Sequence, residues 1–335
     1  MIRNVPLGQP TVGERELQAV AGVFESGWLS GAGPACLAFE KEFAGVAGVE
    51  NALATSNCGT ALHLGLNVLG AGPGDEVIVG DYTFPATGHS VMWTGAKPEL
   101  RAIADRHGLW LMEDAACSAG ASYKGRPAGS LADAAAFSFH GRKGITAGEG
   151  GALVSPNADL IAHARKLHTY GIAPAITREG VEDLPVPEFD ELGYNYRMSD
   201  VQAAIMRVQV ERLPDLMAAR GAAAGWYAEL LSDVEGITLP VALDDRVHPW
   251  QSYVITFDPD VDRGAVALEL RRRGVGCNFG TYASHVQPLY GQTEPCPVSA
   301  DLFRRHLAIP MHANLTQDDV TYVAQTLRDV LTSVS

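Results

Sequence analysis

The chain has 335 residues, 47% hydrophobic and 19% charged, enough for a large buried core and, by length, for two domains. Its formal net charge of −14 excludes the basic footprint that non-specific binding to nucleic acid or to an anionic membrane surface requires. No stretch approaches the length of a membrane-spanning helix, and no period of the repeat-protein type stands out. The five cysteines, Cys36, Cys58, Cys117, Cys277 and Cys296, are scattered with no C-x-x-C pair, which predicts a reducing cytoplasm and no zinc-ribbon metal site. The N-terminal residues lack an apolar core, so no secretory signal is expected.

Residues 11–25 are predicted helical, with Leu17, Val20, Ala21 and Phe24 recurring on one face. A loop at 27–31 carries Trp28. A second helix is expected over 34–46, where Phe39 and Phe43 stand one turn apart. A short apolar strand at 52–54 then meets Thr55-Ser56-Asn57-Cys58-Gly59-Thr60 and a helical run, 61–66. Small polar residues at a helix start present outward N–H groups to the positive end of the helix dipole. That suits a phosphate, or an ordinary N-cap.

Residues 76–80 are a buried-type strand, and Phe84 lies just past its end, where open α/β sheets bind ligands and where a core side chain would also fit. A helix to about Trp93 ends at Gly95. The next segment, Pro98 to Gly108, also has helical character, so two helices run together without the strand that alternation demands. The strand 109–112 ends in Glu113-Asp114, an acidic pair that serves either as a cap or as a functional carboxylate. The strand 134–139 delivers Ser138, His140 and Lys143 to a glycine-rich turn, Gly148–Gly151, and a further strand. This is not a dinucleotide fingerprint, because no helix follows the turn.

A helix over 158–169 and an irregular loop over 172–190 precede Gly193-Tyr194-Asn195-Tyr196-Arg197-Met198-Ser199-Asp200. Ser199 or Asp200 caps a long helix that Pro214 interrupts or kinks. The chain therefore divides into a large domain, 1–214, and a smaller α+β domain, 215–335. The latter has a helix through Trp226–Leu231, a strand at 251–257, a helix at 263–273, a loop bearing Tyr282, His285 and Tyr290, and a closing helix after Asp318.

Seven stretches in order, GWLSGAGPACLAFEKEFA, CGTALHLGL, DYTFPAT, EDAACSAGASYKGRPAG, FSFHGRKGITAGEGGALV, GYNYRMSDVQAAI and LAIPMHANLT, identify the chain as resembling the DegT/DnrJ/EryC1/StrS aminotransferases. These are fold-type I enzymes of amino-sugar biosynthesis that use pyridoxal 5'-phosphate (PLP). The resemblance implies an α/β fold: a large domain whose mostly parallel sheet is sandwiched by helices, and a smaller C-terminal domain. It implies transfer of an amino group from glutamate or glutamine to a keto sugar, usually nucleotide-linked, or to a keto-cyclitol, by a cytoplasmic homodimer with shared active sites.

Residue by residue, it places Gly59, Thr60 and Ser138 at the cofactor phosphate, Phe84 on the pyridine ring, Asp114 at the ring nitrogen and Lys143 as the Schiff-base lysine. Asn195 would reach the phosphate in a neighbouring subunit. Cys117 stands where many members carry Gln near the ring hydroxyl, and a thiol is the weaker partner. Substrate-side candidates are Trp28, Tyr282 and His285, although a packed Tyr and a surface His fit the last two equally. Dehydrating members replace the lysine with histidine, so Lys143 favours transamination. A non-catalytic PLP- or sugar-binding regulator is the alternative.

The family carries a further β-α-β passage of about 40 residues at the position of Pro98/Glu99, where the strandless join falls. Either the protein lacks this passage or the sequence omits it.

Overall fold

The computed structural model describes residues 3–93, 97–99, 108–172, 188–290 and 296–334. Helix α1 (Glu14–Ser26) ends on Gly27, whose φ of 72° lies in the left-handed region that glycine tolerates. Its inward residues are Val23 and Glu16, not the apolar stripe. The Glu16 carboxylate accepts hydrogen bonds from Gln209 Nε2 at 2.7 Å and Arg212 Nη1 at 2.5 Å. Leu17 and Phe24, expected on the core face, are 63% and 62% exposed. Periodicity marks a stripe without saying what covers it.

Helix α2 (Pro34–Ala47) starts with proline, whose fixed φ suits the first helical position. It buries Phe39 and Phe43 completely, and their rings meet Phe139 and Phe137 edge-on at 5.0–5.5 Å.

Strands β1 (Asn51–Thr55) and helix α3 (Cys58–Val68) follow, then β2 (Glu76–Ile78), β3 (Tyr82–Thr83), α4 (Pro85–Trp93) and β4 (Lys97–Glu99). Beyond them come β5 (Met112–Asp114), the ribbon strands β6 (Ser122–Tyr123) and β7 (Arg126–Pro127), and then β8 (Ala134–Ser138), β9 (Gly151–Ser155) and α5 (Ala158–Leu167). The central sheet runs β1-β9-β8-β5. It is mixed rather than mostly parallel: β5 and β8 are parallel, whereas β8–β9 and β9–β1 are antiparallel. The reason is the link between β8 and β9. It carries no crossover helix, and it closes on itself through Phe139 N–H to Gly150 O at 2.9 Å and Gly141 N–H to Gly148 O at 2.8 Å.

The helix expected from Pro98 is corrected in its first residues. Lys97–Glu99 form strand β4, parallel to β2 with Val77 opposite Pro98. Proline lacks the N–H a helix interior needs but is tolerated on a sheet edge. Residues 100–107 of that expected helix, and most of the loop 172–190, lie outside the described residues.

Helix α6 (Asp200–Leu231) is one continuous element of 32 residues, uninterrupted at Pro214. The proline removes one helical hydrogen bond, while buried Leu213 and Leu216 hold the helix on either side of it. Ser199 caps α6 by accepting the Gln202 N–H. Asp200 instead caps α2, taking the N–H groups of Ala35 and Cys36 at 3.0 Å. The first half of α6 packs with Phe39, Phe43 and Phe137.

The second half, with Tyr227, joins the C-terminal core. That core is built from β10 (Ile237–Thr238), β12 (Tyr253–Phe257), α7 (Arg263–Arg272), β14 (His306–Ile309) and α9 (Gln317–Val334). Strands β10, β12 and β14 form an antiparallel sheet. Strand β11 (Arg246–Val247) joins the β6–β7 ribbon, and β13 (Tyr282–Ala283) pairs with β3. Helix α8 (Pro297–Arg305) precedes β14. Among the described residues no helix is long and apolar enough to cross a membrane.

Candidate active site

The acidic pair ending β5 splits by strand alternation. Glu113 turns to one face and accepts the N–H groups of Gly129 at 3.0 Å and Leu131 at 2.9 Å, a structural duty. Asp114 turns to the other face and is exposed. Its Oδ1 accepts the Ala116 N–H at 3.1 Å, and its Oδ2 accepts the Thr87 hydroxyl of α4.

Lys143 stands on the turn that leaves β8, its N–H bonded to His140 O at 2.8 Å. Its Nζ donates to Cys117 Sγ at 3.0 Å. The turn is anchored from below. Thr146 donates its hydroxyl to Phe139 O and receives the Gly148 N–H, and Gln209 Oε1 takes the Thr146 N–H at 3.2 Å. Two further anchors were not foreseen from sequence. Gln251 Nε2 donates to Arg142 O at 2.7 Å. Arg220, 3% exposed, donates to Trp250 O at 3.0 Å and, at 3.5 Å, to the Lys143 carbonyl. Burial lowers the Arg220 guanidinium to about 10, which leaves it charged at neutral pH. A single arginine within the small-residue run MAARGAAAG was the available signal.

Cys58, the first residue of α3, lies beside these groups. Burial raises its thiol, the Asp114 carboxylate raises it further, and the Lys143 charge acts in the opposite direction. The start of α3 is a capping box. Asn57 Oδ1 accepts the Thr60 N–H at 2.9 Å, and Asn57 N–H donates to Thr60 Oγ1 at 3.3 Å. The N-cap reading is therefore realised, and Gly59 and Thr60 sit in the first helical turn. Gly151 is required there: a Cβ would lie 2.4 Å from the Asn57 carbonyl carbon. Ser138 is buried, its Oγ receiving the His140 N–H at 3.5 Å.

Phe84 is 55% exposed and touches Tyr282 at 6.2 Å, so it is not a core side chain. A hydroxyl chain, Thr83 to Thr87 at 3.0 Å and Thr87 to Asp114, links its neighbourhood to the carboxylate. The structure thus brings together Asp114, Cys117 and Lys143 around the start of α3, and Ser138 lines a cleft with Lys143, Cys117, Arg220 and Gln251. Other candidates stand apart. Exposed Trp28 packs at Gly33, ahead of α2. Exposed Asn195 forms a backbone bridge with Thr169, and the rings of its chain neighbours Tyr194 and Tyr196 stack on each other at 4.7 Å. His285 is tied to Asp81, with Nδ1 to Oδ2 at 2.7 Å.

The DegT/DnrJ/EryC1/StrS aminotransferase family model matches residues 10–100 and 98–328. The chain belongs to this family. It is 32% identical to the spore coat polysaccharide biosynthesis protein SpsC of Bacillus subtilis (strain 168), covering 98% of this chain and 97% of that one. It is also 32% identical to the GDP-perosamine synthase of Caulobacter vibrioides, with 98% of each chain covered. Among solved structures, the aminotransferase TlmJ from Streptoalloteichus hindustanus superimposes with a TM-score of 0.92 at 29% identity over 99% of this chain and 100% of that one. The protein is thus an aminotransferase. The two matched stretches of the family model meet at residues 98–100, and the alignment to SpsC runs over 378 positions against 335 residues here. The relative therefore carries residues without a counterpart in this chain.

Proposed function

We propose that the protein uses PLP to transfer an amino group from glutamate or glutamine to a keto sugar, in nucleotide-linked form. The observation that carries this reading is the convergence of the Lys143 amine and the Asp114 carboxylate at the first turn of α3, with the exposed ring of Phe84 following Thr83, which links through Thr87 to Asp114. This donor set fits the cofactor: a primary amine for its aldehyde, an anion for a protonated ring nitrogen, a helix N-terminus for its phosphate and an aromatic face for its ring.

When bound, PLP supplies an electron sink for the charge left at the donor's Cα. The chain's residues supply the rest. Lys143 would hold the cofactor covalently and, once displaced by the donor amine, its Nζ would take the donor's Cα proton and pass it to the cofactor's former aldehyde carbon rather than back to Cα. Asp114, fixed by Ala116 and Thr87, would keep the ring nitrogen protonated. Gly59, Thr60 and Ser138 would donate to the phosphate, and Cys117 would steady Nζ between proton transfers.

A cavity of about 540 Å³ adjoins Cys117 and Gln251 and is rimmed by Tyr123, Arg246 and His248. Lys124 and Arg246 lie 5.1 and 5.2 Å from the Tyr123 ring. This cationic, aromatic rim suits the nucleoside diphosphate of such a sugar, and the GDP-perosamine synthase named above supports that substrate class. The outward apolar side chains of Leu17, Phe24, Trp28, Leu29 and Leu37 support a homodimer. Asn195 would there serve the partner's site.

The test is the visible spectrum of the protein with PLP, followed by borohydride trapping and peptide mapping. A trapped adduct on Lys143 that bleaches with glutamate or glutamine before reduction is the expected result. An adduct that neither donor bleaches would favour a regulator, and an adduct elsewhere would overturn the assignment.

A further inference from the structure

Away from Lys143, three potential metal ligands from distant parts of the chain meet at one point. Asp81 lies between β2 and β3, His285 in the first of two 3-10 turns after β13, and Cys296 at the cap of α8. A carboxylate oxygen, an imidazole nitrogen and the thiol sulfur lie within 4.8 Å of one another. The β3–β13 pairing sets Ala283 opposite Tyr82, and the Ser284 N–H bonds to Asp81 O at 2.9 Å, so backbone structure holds the first two in place. Asp81 also accepts the His285 backbone N–H at 2.7 Å and is buried.

We propose that Asp81, His285 and Cys296 form a binding site for one zinc-like divalent cation. Mixed sulfur, nitrogen and oxygen donors are the zinc set, and three protein ligands leave a fourth tetrahedral position for water. Ligand bonds of 2.0–2.3 Å place tetrahedral donors roughly 3.4 Å apart. The Asp81–His285 contact of 2.7 Å therefore opens slightly, and the most distant pair closes by at most about 1.4 Å. The ion would tie the β2–β3 junction to the C-terminal passage. Phe84 follows Asp81 by three residues, Tyr282 precedes His285 by three, and these two rings already touch. The site thus acts as a clamp on the wall of the cleft. It stands independently of the proposed aminotransfer.

The experiment is Co²⁺ titration of the chelator-treated full chain, with zinc content measured after Zn²⁺ exposure and desalting. The expected result is a thiolate-to-cobalt charge-transfer band that saturates near one equivalent and is abolished by excess Zn²⁺. About one zinc per chain should be retained, the band should be lost in Cys296→Ser, and the affinity should fall about tenfold or more in Asp81→Asn. A readout that needs no variant is protection of Cys296 from alkylation by Zn²⁺, read by peptide mass. Cobalt binding without the charge-transfer band, zinc retention unchanged in Cys296→Ser, or protection falling on Cys117 instead would each overturn the proposal.

Discussion

Asp114→Asn separates charge from shape at the candidate site. Asparagine retains the size of the side chain and an oxygen for the Ala116 N–H, now at 3.1 Å. Its amide can donate to Thr87 Oγ1, whose own proton can pass to Thr83 at 3.0 Å. The folding cost is therefore under ~1 kcal/mol. The lost attraction between a carboxylate and a protonated ring nitrogen is about 4 kcal/mol for charges 4 Å apart at an effective dielectric of 20. Asp114 is exposed, so solvent screening reduces this to roughly 3 kcal/mol or less. At about 1.4 kcal/mol per decade, the expected loss is on the order of 10²-fold. The assay is the single-turnover rate of cofactor bleaching by saturating glutamate, with a thermal melt of the same sample. A rate within a few-fold of the parent, with cofactor bound, would refute the role of Asp114. So would a rate loss that tracks a collapsed melting temperature, because the carboxylate would then be structural.

Phe43→Ala empties the centre of the aromatic cluster, where the ring is fully buried and meets Phe137 and Phe139 at 5.0 Å. The expected loss is ~3–5 kcal/mol in urea denaturation. Burial lowers His168 to about 4, so the folded protein keeps it neutral while the unfolded chain protonates near 6.5. Its stability contribution is complete above pH 6.5 and drains away as pH falls toward about 4, costing up to ~3 kcal/mol. Denaturation at pH 7 and pH 4.5 should show a slope that His168→Gln flattens. Alkylating Cys117, 3.0 Å from Lys143 Nζ, should block the borohydride-trapped adduct, and prior PLP should protect against it; unhindered trapping would contradict the shared cleft. An intact mass of 35.5 kDa would show that the protein lacks the relatives' extra residues; a mass several kilodaltons greater would show that it carries them.

What was legible in the sequence was local. Lys143 ahead of its glycine-rich turn, Asp114 at a strand end and the small-residue start of α3 are each written in fewer than ten consecutive residues, and the structure carries all three on the expected elements. Strand direction was not legible, because β8 and β9 have the same apolar pattern in either orientation. Strand β4, three residues containing Pro98, was too short to carry a period. The inward face of α1 was misread because its buried Glu16 depends on Gln209 and Arg212, nearly two hundred residues away. Arg220 and Gln251 were invisible for the same reason: each acts on the Lys143 turn through backbone carbonyls that no motif records.

The join near Pro98 bears unequally on the two sides of the site. Asp114, Cys117, Ser138, Lys143 and the start of α3 depend on the β1-β9-β8-β5 sheet, on α3 packed against it and on α6 beneath the lysine turn. Strands β2 and β4 form a separate pair, and the nearest shared packing is Met112 of β5 and Val77 of β2 against Leu66 of α3. The groups that carry charge therefore rest on the continuous sheet. Phe84 stands between two supports: β3 before it, through the pairing with β13 and the Asp81–His285 contact, and α4 after it, whose Ala86 packs on the α3 core and whose Thr87 hydroxyl bonds to Asp114. Loosening of the β3–β13 pair would move the aromatic wall and disturb the Thr83–Thr87–Asp114 hydroxyl chain, while Lys143, held through Thr146, Gln209, Arg220 and Gln251, would stay in place. The lysine adduct would then survive, and the loss would appear as weakened cofactor retention and a slower turnover. A clamp at Asp81, His285 and Cys296 lies where it would oppose that movement.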